Sequence, residues 1–200
     1  MSAINIDFGL PGAGPATSYA GAGTPGYWNV IDHVTTTGVG GILDTAGQPT
    51  SVLLTTSQNM VDVTPSLQPF NPIDAPLLGD YLVGGANTFT LTVTGLPESF
   101  YSVIVYTTGR QDFPHASTVT PFADPLLAEV NTGVYAGSLQ VNVTHSIHEL
   151  WVPSTGLLLQ ISSPADGFIN GLQITPAPEP STMALLFLGC IAALLRRRNG

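Results

Sequence analysis

The chain has 200 residues with 22 Gly and 17 Pro in no fixed period, which excludes a helical bundle, a coiled coil and collagen. Hydrophobic residues make up 44% and charged residues only 8%, so it is not a disordered acidic segment, and its lone cysteine, Cys190, excludes a disulfide framework and a Cys-based zinc site. The formal charge is −9, and residues 1–177 carry twelve carboxylates against one arginine, net −11, which repels phosphate backbones and excludes nucleic acid as a partner.

In chain order, the first eight residues show neither a basic n-region nor an apolar h-region. Ile4-Asn5-Ile6-Asp7-Phe8 alternates as a strand does. We expect the true start to lie upstream, or the chain to be a fragment, because a secretion signal is missing. Short alternating segments then recur between Gly, Pro and Asn punctuation. Candidate strands cover 4–8, 28–36, 51–56, 88–94, 101–106, 139–144, 148–152, 157–161 and 168–174. In 88–94, Phe89, Leu91 and Val93 share one face and the threonines the other. Residues 101–106 are apolar on both faces, which predicts a central strand. Leu139, Val141 and Val143 are expected to point inward. Nine or ten short strands predict an all-β fold, an antiparallel β-sandwich over residues 1–175. Its stability would come from burial between facing sheets.

Residues 176–182 form a Pro-rich linker whose prolines, Pro176, Pro178 and Pro180, prevent a helix through its length. Residues 183–195 are uncharged and apolar on every side, which predicts a single transmembrane helix, shorter than the usual span but extended by snorkelling arginines and bilayer thinning. Residues 196–200 form a basic tail whose Arg196, Arg197 and Arg198 place it in the cytoplasm and the body outside. Leu186-Phe187-Leu188-Gly189-Cys190 matches a lipoprotein box in letters only, since the basic residues follow it, so Cys190 reads as an ordinary membrane residue.

Pro178-Glu179-Pro180, a short apolar helix and a terminal Arg cluster together resemble the PEP-CTERM sorting signal of Gram-negative bacteria. The resemblance implies that Pro178, Glu179 and Pro180 are the recognition and processing motif. It implies exosortase, a membrane cysteine transpeptidase-like enzyme, as the partner. It also implies anchoring in the inner membrane by the C-terminal helix before processing, then a place at the cell surface or in an exopolysaccharide-rich biofilm matrix. The body is similar, less specifically, to galactose-binding-like and malectin-like jelly rolls. The residues behind this are Ile4 to Gly9, Tyr27-Trp28-Asn29, the hairpin from Thr94 to Tyr106, and Ile169 to Ile174. That likeness implies carbohydrate binding or adhesion, and pairing of the first and last strands.

Aromatic rings stack on the apolar face of a sugar while Asn and Asp bind its hydroxyls. Tyr27, Trp28 and Asn29 offer both kinds of group, although Trp28 fits a core plug at a strand start better than a platform. Tyr19, Tyr81, Tyr101 and Trp151 are the other aromatics considered, with Trp151 expected in the core. Arg110, Asp112 and His115 open a long polar connection that suits either a ligand or an anchored loop. His145 and His148 point to opposite faces of a strand, which is poor metal geometry. No metal or cofactor is expected: a structural Ca²⁺ would draw on Asp7, Asp44 and Asp166, but no Asp-x-Asp-x-Asp run supports one. No Gly-x-Ser-x-Gly elbow is present, and Glu98, Glu129 and Glu149 lack a general-acid context, so no enzyme is expected. The function expected is a non-catalytic, carbohydrate- or exopolysaccharide-associated surface module. The alternatives are a purely structural matrix protein and a glycoside-active enzyme with two close carboxylates.

Overall fold

The computed structural model describes residues 2–12, 14–63, 70–108, 116–164 and 167–177. The expected membrane helix at 183–195, the sorting motif, the arginine tail and Arg110, Asp112, His115 and Asp166 lie outside them. Among the described residues no helix is long and apolar enough to cross a membrane.

The fold is all-β. The strands in chain order are Ile4–Asp7 (β1), Trp28–Val30 (β2), His33–Val34 (β3), Leu53–Thr56 (β4), Met60–Val63 (β5), Tyr81–Val83 (β6) and Thr88–Thr94 (β7). They continue with Ser99–Tyr106 (β8), Ser117–Pro121 (β9), Glu129–Asn131 (β10), His145–Val152 (β11), Leu157–Ser162 (β12), Phe168–Ile169 (β13) and Gly171–Pro176 (β14). The only α-helix among the described residues is the single turn Ala75–Leu78 (α1). The strands form three sheets: β11-β8-β14-β1-β2, β10-β9-β12-β7-β4, and β13-β6-β5-β3.

The expected pairing of first and last strands is present: β1 and β14 run antiparallel, with Ile4 opposite Ile174 and Ile6 opposite Leu172. The doubly apolar β8 is interior to its sheet, between β11 and β14. β7 keeps its period-2 pattern, with Phe89, Leu91 and Val93 buried. These three join Ile4, Ile6, Val103, Leu159, Ile161 and others in one apolar cluster fed by all three sheets. Burial at about 25 cal/mol per Å² of apolar surface is its main source of stability.

Three expected strands are corrected. Residues 28–36 divide into β2 and β3, because the chain steps from the first sheet to the third. Residues 168–174 divide at Asn170 for the same reason in reverse. Asn170 holds this step, since its amide donates to the Asp80 carbonyl (2.9 Å) and its side-chain oxygen accepts from the Thr108 N–H (2.6 Å). Residues 139–144 form a turn, not a strand. Thr144 N–H donates to the Gln140 carbonyl (2.9 Å), the Gln140 N–H donates to Thr144 Oγ1 (2.9 Å), and Asn142 adopts φ 61°. A Thr that offers its hydroxyl to nearby backbone and an Asn tolerant of the left-handed region favour a turn over a ladder. Val141 is therefore exposed, while Leu139 packs beside a second, smaller cluster.

That second cluster lies on the other face of the first sheet. Trp28, Ile104 and Tyr106 meet Leu77 and Leu78 of α1 there, with Tyr19, Phe70, Tyr135 and Leu139 around them. It explains why β1 is buried at all four positions despite its alternating sequence.

Candidate functional site

Trp28 is 5% exposed, and its indole Nε1 donates to the Tyr19 carbonyl at 3.1 Å. Asn29 donates to the carbonyls of Asn5 (2.9 Å) and Leu43 (2.7 Å) and accepts from the Leu43 N–H (2.8 Å). Both residues are consumed by the fold, so of the trio only Tyr27, 39% exposed, faces solvent. Tyr101 is buried and donates to the Pro97 carbonyl at 2.8 Å, and Tyr81 packs edge-on against Phe168. Trp151 corrects the expectation of a core position. Leu150 and Val152 take the inner face of β11, so the period of two turns Trp151 outward at 40% exposure. Its ring packs edge-on against Phe100, with centroids 5.4 Å apart.

A site that the sequence did not single out forms where residues 16–21 approach 72–76. An open cleft of about 520 Å³ is lined by Ser18, Tyr19, Pro72, Ile73, Asp74 and Pro76 among others. Its organising group is the Asp74 carboxylate, 7% exposed. Tyr19 donates to Oδ1 at 2.9 Å, and Tyr135 and Asn71 Nδ2 donate to Oδ2 at 2.7 and 2.9 Å. The local sequence explains the placement of Asp74. Asn71 Oδ1 accepts from the N–H groups of Ile73 (2.9 Å) and Asp74 (2.8 Å), an Asx turn that swings Asp74 under the cleft at the start of α1. Asn71-Pro72 was the one local signal for this turn.

Burial, and then the hydrogen bond to Asp74, raise the pKa of Tyr19 well above the ordinary value. The same two causes push Tyr135 up to about 12. Both phenols therefore stay protonated and act as donors to Asp74; Tyr19 lines the cleft, while the Tyr135 oxygen already accepts from Asn71. The cleft presents carboxylate and phenol oxygens inside a rim of Pro72, Pro76 and Ile73. Such an arrangement suits a ligand with hydroxyl donors and an apolar face.

The loop bearing Tyr19 is fixed from beneath. Tyr106 donates to Gln173 Oε1 at 2.5 Å and accepts from the Ala22 N–H at 2.7 Å. Gln173 Nε2 donates to the Ala20 carbonyl (3.1 Å). Gly21, at φ +57°, is required here, since a Cβ would fall 2.6 Å from the Tyr106 hydroxyl.

Elsewhere, His145 and His148 are both buried, and burial pulls the pKa of each down to about 4. Among the described residues, no three His, Cys, Asp or Glu are grouped to hold a metal ion. Asp44 spends Oδ1 on the N–H groups of Ala46 and Gln48, which makes it a turn residue.

β14 carries the described chain toward its C-terminal segment. Pro176 lies opposite Tyr101, and Ala177 N–H donates to the Phe100 carbonyl at 2.9 Å. No curated protein matches the chain. Residues 176–198 match the family model of the PEP-CTERM protein-sorting motif. The chain thus carries a PEP-CTERM sorting signal, which indicates an exported protein targeted by exosortase, with a membrane-anchored C-terminal signal before processing.

Proposed function

We propose that this is a cell-surface or extracellular-matrix protein whose body, residues 1–175, is a jelly-roll-like β-sandwich serving as a non-catalytic carbohydrate- or exopolysaccharide-associated module. The observation that carries this reading is the sorting motif at 176–198 joined directly to an all-β body. In it, Pro178, Glu179 and Pro180 are the processing motif, 183–195 the membrane helix, and Arg196, Arg197 and Arg198 the cytoplasmic stop. The cleft over Asp74 supports the carbohydrate part. It offers oxygen acceptors and apolar Pro and Tyr surfaces at one place, as recognition of a neutral sugar needs.

Expression in hosts with and without exosortase tests the sorting half: the tail is expected to be removed only where the enzyme is present. Loss of Pro178–Pro180 without exosortase, or an intact tail in both hosts, contradicts it. Polysaccharide pull-down tests the binding half, with Tyr19→Ala expected to abolish retention. A structural matrix protein is the second reading, favoured by the outward threonines of β7, Thr88, Thr90, Thr92 and Thr94. Retention unaffected by Tyr19→Ala, or no retention at all, supports it.

A further inference from the structure

The outer face of the first sheet is covered at one end and only partly covered at the other. Along β8, Ile104 and Tyr106 are buried beneath the Tyr19 loop and α1, while Phe100 and Ser102 are half-buried. Along β14, Gln173 is buried and Thr175 half-buried. At the partly covered end, Trp151 of β11, Phe100 of β8 and Ala177, just past β14, make a row: Trp151 lies opposite Phe100, and Ala177 bonds to the Phe100 backbone. Trp151 is 40% exposed, and its ring packs edge-on against that of half-buried Phe100 to form one aromatic surface.

This row sits where the chain departs for the membrane. Only residues 178–182 separate Ala177 from the apolar segment that starts at Met183, a reach of at most about 22 Å. With the tail inserted, this end of the body is held at the height of the lipid headgroups. Tryptophan favours that zone, because its ring is apolar and its N–H finds a polar partner there. Charges beside this row on the described strands include Glu149, two residues from Trp151 on the same face, and Glu98, just before β8. Both are acidic, so the surface fits neutral headgroups and is repelled by anionic ones.

We propose that the Trp151–Phe100 row docks the body onto the surface of the bilayer that holds its own tail, fixing the body's orientation, and with it the approach to Pro178–Pro180, before processing. The proposal rests on the anchoring that the sorting motif implies.

The test uses the full chain, purified with its tail intact and reconstituted into phosphatidylcholine vesicles with or without brominated acyl chains. Vesicle flotation reports anchoring. Bromolipid quenching, compared between the native chain and Trp151→Phe, isolates the emission of Trp151 from that of buried Trp28. The expected result is that both proteins float, that bromolipid removes most of the Trp151 contribution, and that added phosphatidylglycerol weakens this quenching. Flotation without quenching of Trp151 overturns docking and leaves anchoring intact. Failure to float overturns both. Shielding of Trp151 that rises with protein concentration, without bromolipid quenching, assigns the row to a second copy of the chain and overturns the lipid assignment.

Discussion

Gln173 lies directly across the terminal strand pair from Asn5 and donates to its side-chain oxygen at 2.9 Å. The same amide donates to the carbonyls of Ala20 and Thr24, and its oxygen accepts from Tyr106. One buried amide therefore joins the two ends of the body to the loop that carries Tyr19. Gln173→Leu strands the Tyr106 hydroxyl and the Asn5 side chain without these partners. Because leaving buried polar groups unsatisfied costs ~1–3 kcal/mol each, a loss of about 3 kcal/mol is expected. Urea unfolding of the purified body measures it, and a midpoint equal to that of the native protein contradicts the role.

Acid sensitivity follows from His145 and His148. Native values of about 4 lie below the ordinary 6.5, so the unfolded chain binds more protons between these limits. Their contribution is fully present above pH 6.5 and is lost as pH falls from 6.5 toward 4, by up to about 1.4 kcal/mol per pH unit for each ring. His145 packs against Tyr106 with Nδ1 3.1 Å from Thr144 Oγ1, and His148 Nε2 lies 3.0 Å from Ser146 Oγ. Neither pairing supplies a negative charge. Thermal unfolding across this window should show a steep fall in Tm that His148→Leu makes shallower. An unchanged slope refutes the assignment.

After β9 the chain turns through two consecutive left-handed residues, Phe122 at φ 53° and Ala123 at φ 56°. Phe122 packs against the main core, whereas Ala123 contributes little beyond its backbone. Left-handed backbone costs an L-residue roughly 1–2 kcal/mol, partly offset by the entropy that glycine loses on folding. Ala123→Gly is thus expected to stabilise by about 0.5–1 kcal/mol, read as a higher urea midpoint. A lower midpoint would sink this account.

The sequence revealed those parts of the fold in which one strand sees one environment. β7 and β12 keep a single face in the core and β8 buries both, so their alternation or continuous apolarity reads correctly. Residues 28–36 and 168–174 mislead because each is one apolar run serving two sheets, and hydrophobicity does not mark a change of sheet. Trp28 is buried as its place at a strand start suggested, whereas Trp151 shows the same limit at a single position. Which phase of a strand is inward depends on the partner sheet, and only the flanking Leu150 and Val152 betray that Trp151 is the outward residue. The cleft was illegible for a further reason: Tyr19, Asp74 and Tyr135 lie 55 and 61 residues apart in the chain. Contacts at that separation leave no local spacing to find.

Asp74 is the acceptor on which this cleft depends, and its charge can be separated from its shape. Asp74→Ala removes the shared partner of Tyr19, Tyr135 and Asn71 and should cost about 2–3 kcal/mol, tempered by the access of the half-buried phenols to water. Asp74→Asn keeps one acceptor oxygen and much of the geometry but removes the negative charge. Burial is the larger cause of the raised Tyr135 pKa, and it persists in this variant, whereas the hydrogen bond to a carboxylate and its Coulomb effect do not. Phenolate absorbance titration of Asp74→Asn should therefore move Tyr135 from about 12 only part of the way toward 10.0. A complete return to 10.0 would mean that the cleft has opened to water, and no movement would mean that Asp74 does not hold the phenol. If the intermediate value is found and polysaccharide retention is lost in the same folded variant, the carboxylate charge itself contributes to binding.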